Sequence, residues 1–159
     1  MTTGEWVMTT RSVNNGTYVT EKEILRIKPD HTFDVTIDVS LQKGRHYIKD
    51  LQVKASGIWK RYITTLVIVV QRIDVPFAKE VSTTIDMRSL EALAGIYRRR
   101  FETDPIHIYT IEFLDEKNLK VRNEEEAVST YTKAKEIIPK PITPPKPVFV
   151  DEALKRQRR

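Results

Sequence analysis

Residues 33–41 read Phe33-Asp34-Val35-Thr36-Ile37-Asp38-Val39-Ser40-Leu41, an unbroken alternation of apolar and polar side chains. Successive side chains of a β-strand point to opposite faces, so this order gives one dry face and one wet face. On a helix the same apolar residues would scatter around the circumference, and the period therefore selects a strand. A strand of this length must cover its apolar face, and the flanking sequence supplies the cover.

Residues 6–13 and 18–27 flank Asn14-Asn15-Gly16, and an Asn-Gly pair supplies the positive φ angles of a tight hairpin turn. Lys28-Pro29-Asp30-His31-Thr32 is a second turn, with Pro29 fixing φ and Asp30 placed to bond its own backbone. Lys43-Gly44 reverses the chain into residues 47–62, which alternate around Leu51, Val53 and Ala55, and Gly57 signals a bulge or sharp bend. Residues 64–73 make the most hydrophobic strand; the run 66–70 suits burial on both faces, and Pro76 ends it. The period then changes. Leu90, Leu93, Ala94, Tyr97 and Phe101 fall at helical spacing, which predicts one amphipathic helix of about three turns over 87–101. Asp86 or Ser89 would cap it, Gly95 is a weak point, and Asp104-Pro105 ends it. Residues 106–114 and 119–122 form a last hairpin through Asp115-Glu116-Lys117-Asn118, and the charged turn Asn123-Glu124-Glu125-Glu126 precedes an extended stretch over 127–133. About seven to nine strands in mostly up-and-down order, joined by short hairpins, best remove their edges by closing into a barrel. The expected fold is mainly β: an antiparallel up-and-down barrel of about eight strands, one amphipathic helix and a proline-rich C-terminal arm.

A chain of 159 residues is long enough for one domain with a real core and some tail. Composition changes near Lys135, which sets a barrel domain over 1–135 and an arm over 136–159. Pro139, Pro141, Pro144, Pro145 and Pro147 forbid regular pairing there and favour an extended polyproline II course, and the chain closes on Lys155-Arg156-Gln157-Arg158-Arg159. No run of about 18 apolar residues exists to span a membrane as a helix.

The absence of cysteine excludes disulfides, thiolate metal sites and a cysteine nucleophile. His31, His46 and His107 have no metal-ligand spacing, and Glu124-Glu125-Glu126 reads as a wet loop without a second ligand cluster. Asp34 and Asp38 share the polar strand face and read as solvated. The glycines form no phosphate loop, and no serine–histidine–acid arrangement emerges from spacing. A non-enzyme without cofactor or metal is the expectation.

Candidate lumen residues are Trp6, Met8, Leu25, Phe33, Val35, Ile37, Val39, Trp59 and Phe113. They either pack as a core or line a site for one small apolar ligand, with Tyr109 or Arg26 as its polar groups. Candidate partner contacts are Pro141, Pro144, Pro145 and Pro147, which form overlapping PxxP segments, together with Arg98, Arg99, Arg100, Arg156, Arg158 and Arg159. The arginines carry much of the formal charge of +5 and read either as a solubilising surface or as a contact for an acidic partner.

Gly4-Glu5-Trp6, Gly57-Ile58-Trp59, the unit running from Ile27 through Asp30 to Phe33, the stretch from Ile111 to Val121 and Thr130-Tyr131-Thr132-Lys133 follow one another in an order that resembles the small bacterial lipocalin-like domains. The resemblance covers about residues 4–134. It implies Trp6 on the barrel floor and Trp59 at the start of a central strand. Many such domains are secreted or lipid-anchored, which implies the periplasm or cell envelope if a signal peptide precedes this chain and the cytoplasm otherwise. The late helix and the proline arm depart from the pattern. Three readings follow: a non-catalytic scaffold or adaptor that contacts a protein or neighbouring subunit through the arm, which ranks first; a carrier of a small apolar ligand or lipid; and, last, a nucleic-acid binder using the basic patches, for which Tyr47, Lys49, Arg61 and Tyr62 give only a weak aromatic–basic pattern.

Overall fold

A computed structural model describes residues 2–74, 78–135 and 137. The elements run β1 (Gly4–Asn14), β2 (Thr17–Ile27), β3 (Thr32–Lys43), β4 (His46–Tyr62), β5 (Thr65–Asp74), β6 (Glu80–Val81), α1 (Met87–Glu102), β7 (Ile106–Leu114), β8 (Asn118–Arg122) and β9 (Val128–Lys135). Neighbouring strands pair in the order β3-β2-β1-β9-β8-β7-β5-β4, and β3 pairs again with β4, so eight antiparallel strands close on themselves. The short β6 hangs on β4 at Ile48 and Lys49. Closure gives each of the eight strands a partner on both sides over at least part of its length, β9 meeting β1 at Glu5–Val7, which answers the one-sided alternation.

Local chemistry sets each reversal. Asn15 and Gly16 take φ of 51° and 78° between β1 and β2, the left-handed pair that a two-residue hairpin needs. Between β2 and β3, Asp30 Oδ1 accepts the backbone N–H of Thr32 at 3.0 Å. On β3 the alternation holds: Phe33, Val35, Ile37 and Val39 are all buried. Their polar neighbours point outward but are only half exposed. Asp34 is ion-paired with Arg26 and Lys28, and Asp38 Oδ1 is shielded without a hydrogen-bond partner among the described residues, so neither is the freely solvated group expected.

Besides a register shift between Glu5 and Trp6 where β1 meets β9, three bulges bend the barrel. Asp50, with φ of 54°, is bypassed where the β3–β4 register shifts. At Gly57 the β4–β5 register slips, and a Cβ there would lie 1.9 Å from the Val69 carbonyl oxygen, so only glycine fits the approach of the two backbones. The third lies between Ile111 and Phe113 on β7. The run from Leu66 to Val70 was expected to be dry on both faces. Instead Leu66, Ile68 and Val70 are buried while Val67 and Val69, on the opposite face, are half-buried.

One end of the barrel is sealed by indoles. Trp6 is fully buried and donates from Nε1 to the Thr2 carbonyl at 2.9 Å. Trp59 donates from Nε1 to the Lys28 carbonyl at 2.8 Å, with the His31 ring 5.1 Å away. Trp59 stands near the end of β4, not at the start of a strand.

At the opposite end, α1 connects to β7. Asp86 is its cap, accepting the Ser89 N–H at 2.7 Å, and Arg99 and Arg100 in the last turn favour the carbonyl end of the helix dipole. The helix runs one residue further than its apolar spacing predicts, and Leu90 and Tyr97 join the barrel core. No helix among the described residues is long and apolar enough to cross a membrane. Pro76 and, apart from Ile137, the proline-rich arm, with Pro139, Pro141, Pro144, Pro145, Pro147, Arg156, Arg158 and Arg159, lie outside the described residues.

Candidate ligand-binding site

The alternation that dries the barrel interior does not fill it. A cavity of about 590 Å³ lies between the strands and the C-terminal end of α1. Its lower wall is apolar: Leu25, Phe33, Val35, Ile37, Leu66, Ile68, Val70, Leu119 and Val121 line it. Toward the helix the lining turns polar, with Glu23, Tyr131, Tyr109, His107, Arg100, Asp104 and the Asn123–Glu125 turn. Phe101 from the helix adds an aromatic edge there. The hollow is therefore amphipathic from floor to mouth.

Strand parity explains the polar end. Glu21, Glu23, Leu25 and Ile27 occupy alternate positions of β2 and share its inner face. The two acidic side chains thus sit inside, above the apolar ones. Glu23 Oε2 accepts the Tyr131 hydroxyl at 2.5 Å across the barrel. Burial pushes the Glu23 carboxyl above its ordinary value, although the Tyr131 hydrogen bond and the charge of Arg100 pull the other way. Burial and the Glu23 charge likewise push Tyr131 well up, and Tyr109 is pushed up to about 12 by burial and the charges of Glu23 and Glu124.

A second set of contacts ties the helix to the rim. Tyr97 donates its hydroxyl to Glu21 Oε2 at 2.6 Å, and the Arg100 guanidinium lies 3.6 Å from Glu21 Oε1 and 4.7 Å over the Tyr97 ring. Burial and the hydrogen bond to Glu21 raise Tyr97, which keeps it a donor. On β7 the His107 ring stacks on Tyr109 at 6.4 Å and meets Phe101 edge-on at 6.2 Å. Its Nε2 is shielded and has no hydrogen-bond partner among the described residues.

Of the expected lumen residues, Leu25, Phe33, Val35 and Ile37 meet on this cavity. Trp6 and Val39 are buried without lining it, and Met8 packs against the core from a partly buried position. Trp59 borders a separate shallow hollow with Thr2, Thr3, His31, Arg61 and Ile63 at the sealed end. Phe113 is half exposed on the outer surface, since the β7 bulge turns it out and brings Leu114 opposite the buried Leu119. Tyr109 reaches the cavity as anticipated. Arg26 does not: it lies outside, bridging Glu5 at 2.9 Å and Asp34 at 2.8 Å. All three of Arg98, Arg99 and Arg100 are exposed, and of them Arg100 reaches the cavity.

Glu23, Tyr131 and His107 were not anticipated. The signal for Glu23 was present, because two carboxylates at the parity of Leu25 and Ile27 are out of place on a dry face. Among the described residues no group of three or more His, Cys, Asp or Glu side chains is arranged to hold a metal ion. No protein-family model matches this sequence, and no curated protein matches it significantly.

Proposed function

We propose that this protein is a non-catalytic, lipocalin-like barrel that binds one small, largely apolar molecule in its lumen, with α1 as the cap over the mouth. The observation that carries this reading is the cavity itself. At about 590 Å³, with an apolar floor and a few convergent polar groups, it has the size and make-up of small-molecule sites. Eight strands enclose enough space for one such ligand and too little for a water channel. The closed meander and the buried Trp6 at the sealed end support the lipocalin-like assignment. Carrier binding is preferred here to the adaptor role because its residues meet in one place, while the adaptor role draws on the arm.

Native mass spectrometry of gently purified protein, together with titration of an environment-sensitive apolar dye, tests the proposal. A co-purified small molecule, or saturable dye uptake displaced by an apolar competitor, is the expected result. Val35→Trp projects bulk into the cavity and should abolish uptake while the far-UV circular dichroism stays that of the parent. Uptake undiminished in this folded variant would place the ligand elsewhere and overturn the reading.

A further inference from the structure

The chain as a whole is basic, at +5, yet the mouth of its cavity is acidic. Glu23, Asp104, Glu124 and Glu125 line it, against Arg100 and His107. The one guanidinium is already engaged, since Arg100 lies against Glu21 and over the face of Tyr97. Glu23 is the deepest of these acids: it belongs to the inner face of β2, two positions from Leu25, with the apolar wall below it. Its described hydrogen bond is the one it accepts from Tyr131. The rings of Tyr109, Tyr131, His107 and Phe101 surround the same space.

We propose that the cavity selects a hydrophobic amine, its ammonium group meeting the Glu23 carboxylate among the tyrosine rings and its apolar part filling the floor. Three elementary effects favour that class. An ammonium makes charge-assisted hydrogen bonds to a carboxylate, which are roughly twice as strong as neutral ones. Tyrosine faces attract a cation within about 6 Å of the ring centre. Removing Glu23 from water on closure of the site is offset when an opposite charge arrives with the ligand, whereas a ligand carboxylate would add one more negative charge to the mouth. An alcohol of the same shape receives only the apolar part and a neutral hydrogen bond.

This inference rests on the ligand-binding reading, and the experiment separates the two. The full chain is titrated calorimetrically with n-octylamine, n-octanol and n-octanoate, which share one apolar tail and differ in head group. Octylamine should bind at least about tenfold tighter than octanol, the ratio expected of one charge-assisted hydrogen bond, and octanoate weakest. Glu23→Gln keeps an acceptor for Tyr131 but removes the charge, so the amine-to-alcohol ratio should collapse toward one. Arg100→Gln, at a site on the helix rim, removes the competing cation and should raise that ratio. Octanol or octanoate binding as tightly as octylamine, or a ratio unchanged by Glu23→Gln, overturns the amine selectivity while leaving a ligand-binding barrel. Failure of all three to bind, with no dye uptake, overturns both.

Discussion

Tyr131 on the last strand donates its hydroxyl to Glu23 on the second at 2.5 Å, joining residues 108 positions apart across the inside of the barrel. The bond is part-buried at the polar end of the cavity, where water competes less well for either partner than at the surface. Tyr131→Phe keeps the ring and removes the donor, leaving a buried carboxyl unsatisfied at a cost of about 1–3 kcal/mol. The urea midpoint should fall with an unchanged m-value. In a Glu23→Gln background the same replacement should cost less, since a neutral amide suffers less from losing its donor. Equal losses in both backgrounds would mean that the two groups are not coupled.

The same carboxyl gives stability a pH dependence of definite sign. Glu23 is raised from its ordinary 4.5 by burial, so between that value and its value in the folded chain the native state holds a proton that the unfolded state has released. Stability from this group is fully present below 4.5 and is lost as pH rises through the folded-state value. Asp115 acts oppositely: the N–H groups of Lys117 and Asn118 hold it below 3.8, so its contribution is lost only as pH falls through that lower range. The two windows do not overlap. Urea midpoints measured upward from pH 4.5 should therefore decline in the parent until Glu23 is ionised in the folded chain, and Glu23→Gln should flatten that decline. A parallel decline in the variant would assign the slope to other groups.

What was legible in the sequence, and what was not, follows from where each signal resides. The strands were readable because inside and outside are written in alternation, and the helix because Leu90, Leu93, Tyr97 and Phe101 change the period. Gly57 announced its own bulge. The β7 bulge carries no glycine, so parity counted from Ile111 put Phe113 inside when Leu114 is the residue that faces the core. Half of the site was legible as apolar alternation, through Leu25, Phe33, Val35 and Ile37. The other half was not: its hydrogen bond joins β2 to β9 and its latch joins β2 to α1, and nothing local in the sequence encodes either meeting. Glu21 and Glu23 could have been found by asking why a dry face carries two acids.

Two glycines should respond to the same substitution with opposite signs. At Gly57 a Cβ would meet the Val69 carbonyl oxygen at 1.9 Å and the Phe33 ring at 3.0 Å, so the β4 and β5 backbones would have to part. Gly57→Ala should cost about 3 kcal/mol or more, at or beyond the upper range of overpacking, or prevent folding. At Gly95 the nearest atom to an added Cβ is Arg99 Nη1 at 3.2 Å, the far end of a flexible side chain. Gly95→Ala should stabilise the protein by up to about 1 kcal/mol through helix propensity. Thermal melts of the two variants check both signs, and a tolerated Gly57→Ala would contradict the close approach of those strands.

The β7 bulge makes the last prediction, because it reverses the roles of two adjacent residues. Without it, Phe113 would share the inner face with Ile111 and Leu114 would point to solvent. With it, Phe113 is opposite the exposed Lys120 and Leu114 is opposite the buried Leu119. Leu114 packs partly buried against the core, while Phe113 is half exposed. Phe113→Ser should therefore change stability by no more than about 0.5 kcal/mol, as for an ordinary surface position. Leu114→Ser should cost about 1–2 kcal/mol, the burial of part of a leucine side chain. A single pair of urea titrations distinguishes the registers: if Phe113→Ser proves the costlier change, the extra residue is not where the strand pairing puts it, and the cavity wall formed by Leu119 and Val121 would have to be redrawn with it.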